Sequence, residues 1–460
     1  MTDFATLLGV DAGEAAMTLR LLSPETLPAW IAAHGEAART AAAVGGFAAK
    51  PGEIALVPEG AGWEALVGTG SEALDPWSLA AAATRLPAGR YRLAAPVAEM
   101  ALHGWLMAQH HFDRYRQPPA AREPRILLTS MPAAIATAVE MAEATALVRD
   151  LIDTPANDMG PAELADAVTA EAGRWHATVT VTTGEALLEA GFPAVHAVGR
   201  AASRAPRLID MRWGNPADPL LTLVGKGVVF DSGGLNIKGS TGMALMKKDM
   251  GGAAHALALA RLVMHARLPV RLRLIIPAVE NAVSGNAFRP GDVLATRAGL
   301  SVEIGNTDAE GRLILADALT LACEEAPALL IDFATLTGAA RTALGPDLPA
   351  LFTNDDTLAA GYADAAAATA DPLWRLPLWA GYRHMLDSGI ANLNNAPETG
   401  FAGAITAALF LERFVTPGTC WAHFDVYGWS PVSRPGRPKG AAAGALQASW
   451  HLLRQRFPAQ

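Results

Sequence analysis

The chain has 460 residues, 51% of them hydrophobic, which is long for one ordinary domain and rich enough in apolar side chains to bury large cores. Its 36 basic and 45 acidic residues leave a net charge of −9 with no basic run, which argues against a dedicated nucleic-acid or membrane-surface protein. The opening MTDFATLLGV lacks the charged start and long apolar core of a signal peptide, and no stretch approaches the roughly 18 apolar residues of a membrane span, so a cytoplasmic protein is expected.

Residues 1–131 mix short strand-like runs, EIALVP, YRLAAPV and RILLTS, with helical ones such as PWSLAAAATRL, and are read as a smaller N-terminal α/β domain. His103, His110 and His111 form the one local histidine cluster there and are read as helix-surface or satisfied core residues. QPPAAREPR, 117–125, has the proline and charge content of a loop. The apolar spacing of Ile135, Val139, Ala142, Ala146 and Leu147 predicts a connecting helix, 132–152, stopped by Pro155 in DTPAND.

From residue 153 to 460 strand and helix patterns alternate. The runs 220–230, 270–281, 328–336 and 420–428 are aliphatic or aromatic and short enough for buried strands. The runs 253–266, 312–326 and 402–415 carry apolar residues at helical spacing. The fold class that follows is α/β: a mostly parallel sheet with helices on both faces, its sites gathered at the carboxyl ends of strands. Cys323 and Cys420 sit in apolar segments and are read as buried small hydrophobes.

Polar residues interrupt this pattern at informative places. Lys226 lies inside an apolar run, where a lysine is costly unless paired or deprotonated. Asp231 ends the same run, Lys238 follows in a loop, and Asp249 stands just before a helix. In NTDAEGRL, Asp308, Glu310 and Arg312 occupy alternate positions; in extended backbone they would face one volume, and the plainer reading is a solvated turn capping the next helix. Together Asp231, Asp249, Asp308 and Glu310 make a nest of carboxylates that Lys226, Lys238 and Arg312 balance only in part. Such a nest is tolerable around divalent cations, and bridging carboxylates suit two ions better than one. Hard oxygen donors with one amine leave zinc, manganese and magnesium chemically open.

The segments VGKGVVFDSGGLNIK, MKKDMGGAA, NTDAEGRLILADAL and DFATLTGA, in this order and spacing, resemble the leucyl aminopeptidase family of two-metal exopeptidases. The likeness covers about residues 148–425, and the N-terminal region matches in length and position only. The resemblance implies two divalent ions per subunit, zinc or manganese, bridged by Asp231 and Glu310, with Asp308 completing one site and Lys226, as a neutral amine, and Asp249 completing the other. It implies that Lys238 stabilises the oxyanion and that Arg312 holds a bicarbonate acting as general base. Met246, Thr335, Leu336 and Gly338 match substrate-lining positions. The implied substrates are peptides with a free N-terminus, cleaved one residue at a time, and the implied assembly is a homohexamer. Two other readings share part of this pattern: another two-metal hydrolase such as a phosphoesterase, which should show a phosphate-binding cluster, and an accessory DNA-binding protein, which should show a basic stripe. Neither feature is visible, and KGAAAGALQASW departs from the family's Thr-Gly-rich segment near the pocket.

Overall fold

The computed structural model describes residues 2–60, 62–117 and 123–458, so the loop expected over 117–125 falls mostly outside the described residues. The chain divides into two compact units: Met1–Ala146 with Val432–Lys439, and Leu147–Pro431 with Gly440–Gln460. The dividing point falls inside one helix, Pro132–Asp153, which stops just short of Pro155, as its sequence predicts.

In the first unit, strands β1 (Leu8–Val10), β2 (Met17–Leu22), β3 (Ile54–Glu59), β4 (Gly62–Gly68), β5 (Gly89–Leu93) and β6 (Arg125–Thr129) form one sheet of order β1-β6-β5-β2-β4-β3. Its pairs are parallel except β3 with β4. The period of two along β4 explains the double-sided core. Ala65 and Val67 pack with Leu19, Tyr91 and Trp105, while Leu66 between them packs with Val57 and Trp30 on the other face. His103 and His110 are buried and His111 is exposed.

In the second unit the strands are β7 (Thr178–Thr183), β8 (Arg207–Trp213), β9 (Leu220–Gly225), β10 (Gly227–Asp231), β11 (Arg271–Asn281), β12 (Val293–Ala295), β13 (Ser301–Glu303), β14 (Leu329–Ala334), β15 (Ala350–Thr353), β16 (Trp374–Arg375), β17 (Leu393–Asn394) and β18 (Trp421–Asp425). The main sheet runs β16-β15-β18-β14-β9-β11-β8-β7, with β10 also on β11. Its centre, β11-β9-β14-β18, is parallel, and antiparallel pairs join β8 to β11, β7 to β8 and β15 to β18. Buried on both faces, β9 and β14 are mainly aliphatic, interrupted by Thr222 and by Asp332, whose carboxylate pairs with Trp421 Nε1 and His423 Nδ1. The helix Gly251–His265 lies directly on them because Gly225 and Gly252 carry no side chain: a Cβ on Gly252 would stand 2.1 Å from the Phe333 carbonyl oxygen.

Two expectations are corrected. The run 220–230 is two strands, broken at Lys226, whose amide donates to the Phe333 carbonyl at 3.0 Å while its own carbonyl accepts from Ala253. Up to Gly225 the chain pairs with β14 and β11; beyond the break it shifts wholly onto β11, and the jog turns the lysine side chain out of the sheet pattern. Cys420 is only partly buried, and its thiol lies 3.5 Å from Asp355 Oδ2, because it precedes β18. Among the described residues no helix is long and apolar enough to cross a membrane.

Candidate active site

The residues singled out in the second unit come together where the central parallel strands end. Lys226 follows β9, Asp231 closes β10, and Asp249 sits in the 3-10 turn Met246–Met250 that leads into the helix Gly251–His265. Asp308 lies in a turn, and Glu310 is the first residue of the helix Glu310–Cys323. This corrects the alternating-side picture of NTDAEGRL. Glu310 and Arg312 are helical, so two positions apart they diverge rather than share a side, and the turn before the helix is what swings Asp308 toward Glu310.

Lys226 Nζ lies 2.7 Å from Asp249 Oδ2 and 3.0 Å from Glu310 Oε1, and donates to the Thr335 carbonyl at 2.9 Å. Lys238 Nζ lies 2.7 Å from Asp231 Oδ2 and also pairs with Asp308 Oδ1. Carboxylate oxygens of Asp231, Asp308 and Glu310 sit within 4.8 Å of one another. The lysine reaches its partners because residue 311 is glycine: a Cβ there would fall 2.4 Å from Lys226 Cε, an overpacking that typically costs about 1–3 kcal/mol.

Residues not foreseen from the sequence hold this cluster in place. Asn281, the last residue of β11, donates to Asp231 Oδ1 at 2.8 Å and to the Thr307 carbonyl at 3.1 Å. Thr307 ties its turn to the loop after Asp231, accepting from the Asn236 amide at 2.8 Å and donating to the Gly233 carbonyl at 2.6 Å. That loop needs Gly233 and Gly234, whose φ of +87° and +64° suit glycine. Asn395 accepts from the amides of Gly305 and Asn306. Asn281 carries a readable signal, a polar residue ending an apolar strand; Asn395, in the loop NLNNAPE, has none.

Thr335 is bonded to the cluster directly, its hydroxyl donating to Asp249 Oδ1 at 2.8 Å. Leu336 and Gly338 continue the same segment, which Asp425 at the end of β18 fixes by accepting from the amides of Leu336 and Thr337 and from the Thr337 hydroxyl. Met246 opens the turn that carries Asp249. Arg312 is buried, and its Nη1 donates to the Asn395 carbonyl at 2.6 Å, while its Nε has no hydrogen-bond partner among the described residues. Burial lowers its pKa to about 10 against the opposing pull of Glu310 and Asp425.

The electrostatics record the crowding. Burial, then the nearby Asp231, pushes Glu310 up to about 8, and the same two causes push Asp308 up to about 6. Burial alone would lower Lys226 and Lys238; the surrounding carboxylates, Asp249 first for Lys226 and Asp231 first for Lys238, outweigh it and raise both above the ordinary lysine value. Glu310 Oε2 is buried with no hydrogen-bond partner among the described residues. A buried carboxylate with a free oxygen, beside two others within bridging range, is a donor set suited to hard divalent cations.

A pH dependence follows. A carboxyl whose folded pKa is raised contributes stability that is complete below its unfolded value and is lost as pH rises through its folded value. For the metal-depleted chain the losses fall through about 6 for Asp308 and about 8 for Glu310. Its thermal midpoint is therefore expected to drop between about pH 5 and about pH 9, and added manganese, which binds deprotonated ligands, to restore it increasingly as pH rises. A midpoint that is flat in this window with and without metal would contradict these ionisations.

Comparison with known proteins shows the family. The model of the cytosol aminopeptidase family, catalytic domain, matches residues 146–448, and that of the M17 aminopeptidase N-terminal domain matches residues 17–128. The chain belongs to the cytosol aminopeptidase family. It is thus a hydrolase of the aminopeptidase type, in a family whose activity depends on divalent metal. Among its relatives are a probable cytosol aminopeptidase of Syntrophotalea carbinolica, 41% identical over 78% of this chain and 75% of the relative, and one of Chlorobium luteolum, 37% identical over 85% and 86%. Among solved structures, the cytosol aminopeptidase from Coxiella burnetii superposes with a TM-score of 0.94 at 46% identity, covering 98% of this chain and 99% of that one. The bottromycin maturation enzyme BotP in complex with Mn gives 0.87 at 33% identity, covering 96% and 99%. The N-terminal match goes beyond the resemblance in length and position alone, and none of these relatives favours a phosphoesterase or a DNA-binding protein.

Proposed function

We propose that this aminopeptidase releases N-terminal residues from peptides one at a time, using two divalent ions per subunit, zinc or manganese, held by Asp231, Asp249, Asp308, Glu310 and a neutral Lys226. The observation that carries the reading is the meeting of Asp231, Asp308 and Glu310 within 4.8 Å around the unpartnered Glu310 Oε2. Such ions supply Lewis acidity toward a peptide carbonyl and acidify water. The chain supplies the rest. Lys238, an ammonium at the open side of the cluster, donates to the oxygen that gains charge in the transition state. With the carboxylates of the nest taken up in holding the ions, and an arginine a very poor base, Arg312 is assigned the binding of a bicarbonate, which would supply a general base; its free Nε suits that task. Met246, Thr335, Leu336 and Gly338 line the substrate, and anchoring the peptide by its α-amine fixes which bond lies in the site.

On the family resemblance we assign a cytoplasmic location, a homohexameric assembly, and domains of 1–131 and 153–460 joined by the helix 132–152. Dialysis against a chelator is expected to abolish release of the amino acid from a leucyl amide, and zinc or manganese to restore it. On longer peptides free amino acids should appear in sequence order from the N-terminus. Full activity without metal, or internal fragments appearing first, would refute the proposal.

A further inference from the structure

Lys248 stands beside Asp249, is 5% exposed, and makes no side-chain hydrogen bond or ion pair among the described residues. Its Nζ lies 5.0 Å from the centroid of the Tyr427 ring. The guanidinium of Arg341, an exposed residue, lies over the same ring, with Cζ at 4.9 Å. An electron-rich aromatic face lets two like charges sit close together, but it does not replace the acceptors that ammonium and guanidinium groups require. Neighbouring carboxylates do not serve. Asp249 is engaged by Lys226 and Thr335, and Asp425 by Leu336 and Thr337.

The three residues adjoin the substrate-lining segment. Arg341 Nη2 lies 3.9 Å from where a Cβ on Gly338 would stand. Gly428, the neighbour of Tyr427, approaches Thr335 so closely that a Cβ on it would stand 3.4 Å from Thr335 Cγ2. A buried lysine with no hydrogen-bond partner among the described residues and a solvent-facing arginine therefore border the place where the peptide is read.

We propose that Lys248 and Arg341, held over Tyr427, form a carboxylate-accepting subsite that makes peptides with N-terminal glutamate or aspartate favoured substrates. The inference rests on the aminopeptidase reading above. Arginine's planar fork matches a carboxylate in two-point contact, and the buried lysine adds a donor shielded from solvent. A neutral side chain of the same shape leaves the buried Lys248 without a charged acceptor and gives the Arg341 fork nothing to pair with.

The test compares kcat/KM for glutamyl amide and its isostere glutaminyl amide, which differ in the side-chain charge and carry no C-terminal carboxylate. The unaltered enzyme should favour the glutamyl amide by roughly 10-fold or more, and Arg341→Gln and Lys248→Met should each bring that ratio toward one, mainly through KM. Calorimetric binding of free glutamate, tighter than glutamine in the unaltered protein and weakened in both variants, reads the same site without turnover. If no amide is hydrolysed, leucyl amide included, while glutamate binding behaves as described, the aminopeptidase reading falls and the subsite stands. A glutamyl preference that is absent, or unchanged in both variants, overturns the subsite. So does a loss seen only for the dipeptide Leu-Gly relative to Leu-Gly amide, which would make the C-terminal carboxylate the bound group.

Discussion

Acetylating the N-terminus of a good peptide substrate is expected to lower its hydrolysis by roughly 100-fold or more, while extending the carboxyl end changes little. The reason lies in what an amide removes. A free α-amine offers a lone pair that an ion held by Lys226, Asp249 and Glu310, whose side-chain atoms meet at 2.7 and 3.0 Å, would accept. Its acetylated form offers no such lone pair, and the added acyl group displaces the first peptide bond from the reacting position. Rates on matched free and blocked peptides decide the matter, and comparable turnover of the two would refute exopeptidase action.

The second large effect separates the two cations assigned to chemistry. Lys238→Ala should lower kcat by roughly 100-fold or more, the order seen when a donor to a developing oxyanion is lost. Its Nζ spans Asp231 and Asp308, so it is already fixed where the carboxylates converge. Arg312 is anchored elsewhere, to the Asn395 carbonyl, and acts through the proton carrier it is proposed to hold. Arg312→Ala should therefore cost less, roughly 10- to 100-fold, and should remove any stimulation by bicarbonate. Normal turnover in Lys238→Ala, or bicarbonate activation surviving in Arg312→Ala, would show the two roles to be wrongly assigned.

What the sequence disclosed, and what it hid, follows from the range of the interactions. The buried parallel strands β9, β11, β14 and β18 are dominated by aliphatic and aromatic residues, so composition reveals them even though Arg273, Asp332 and His423 lie within them. The strand β7, Thr178–Thr183, is a run of threonine and valine at partly solvated positions; it became a strand by pairing with β8, which no local pattern announces. The acidic residues were legible because they interrupt apolar runs. Of their supports, Asn281 left only the mark of a polar residue ending a strand, and Asn395 left none, since both act on residues distant in sequence, Asn395 through the amides of Gly305 and Asn306. Lys226 stood out as a charge within an apolar run, but the break in the strand there did not, since apolar residues resume at Val228; the close approach of Ala253 to Gly225 shows why the chain must jog there. The pair Lys248 and Arg341 belongs to the same class: each is unremarkable in sequence, and only the fold brings both over one ring.

The central claim is that the nest of Asp231, Asp249, Asp308 and Glu310, with Lys226, holds two divalent ions. Elemental analysis of the purified chain after gentle dialysis, normalised to protein and paired with an activity assay on the same sample, tests it most directly. Two ions per subunit in the fully active protein is the predicted result, and full activity with one ion or fewer would contradict it.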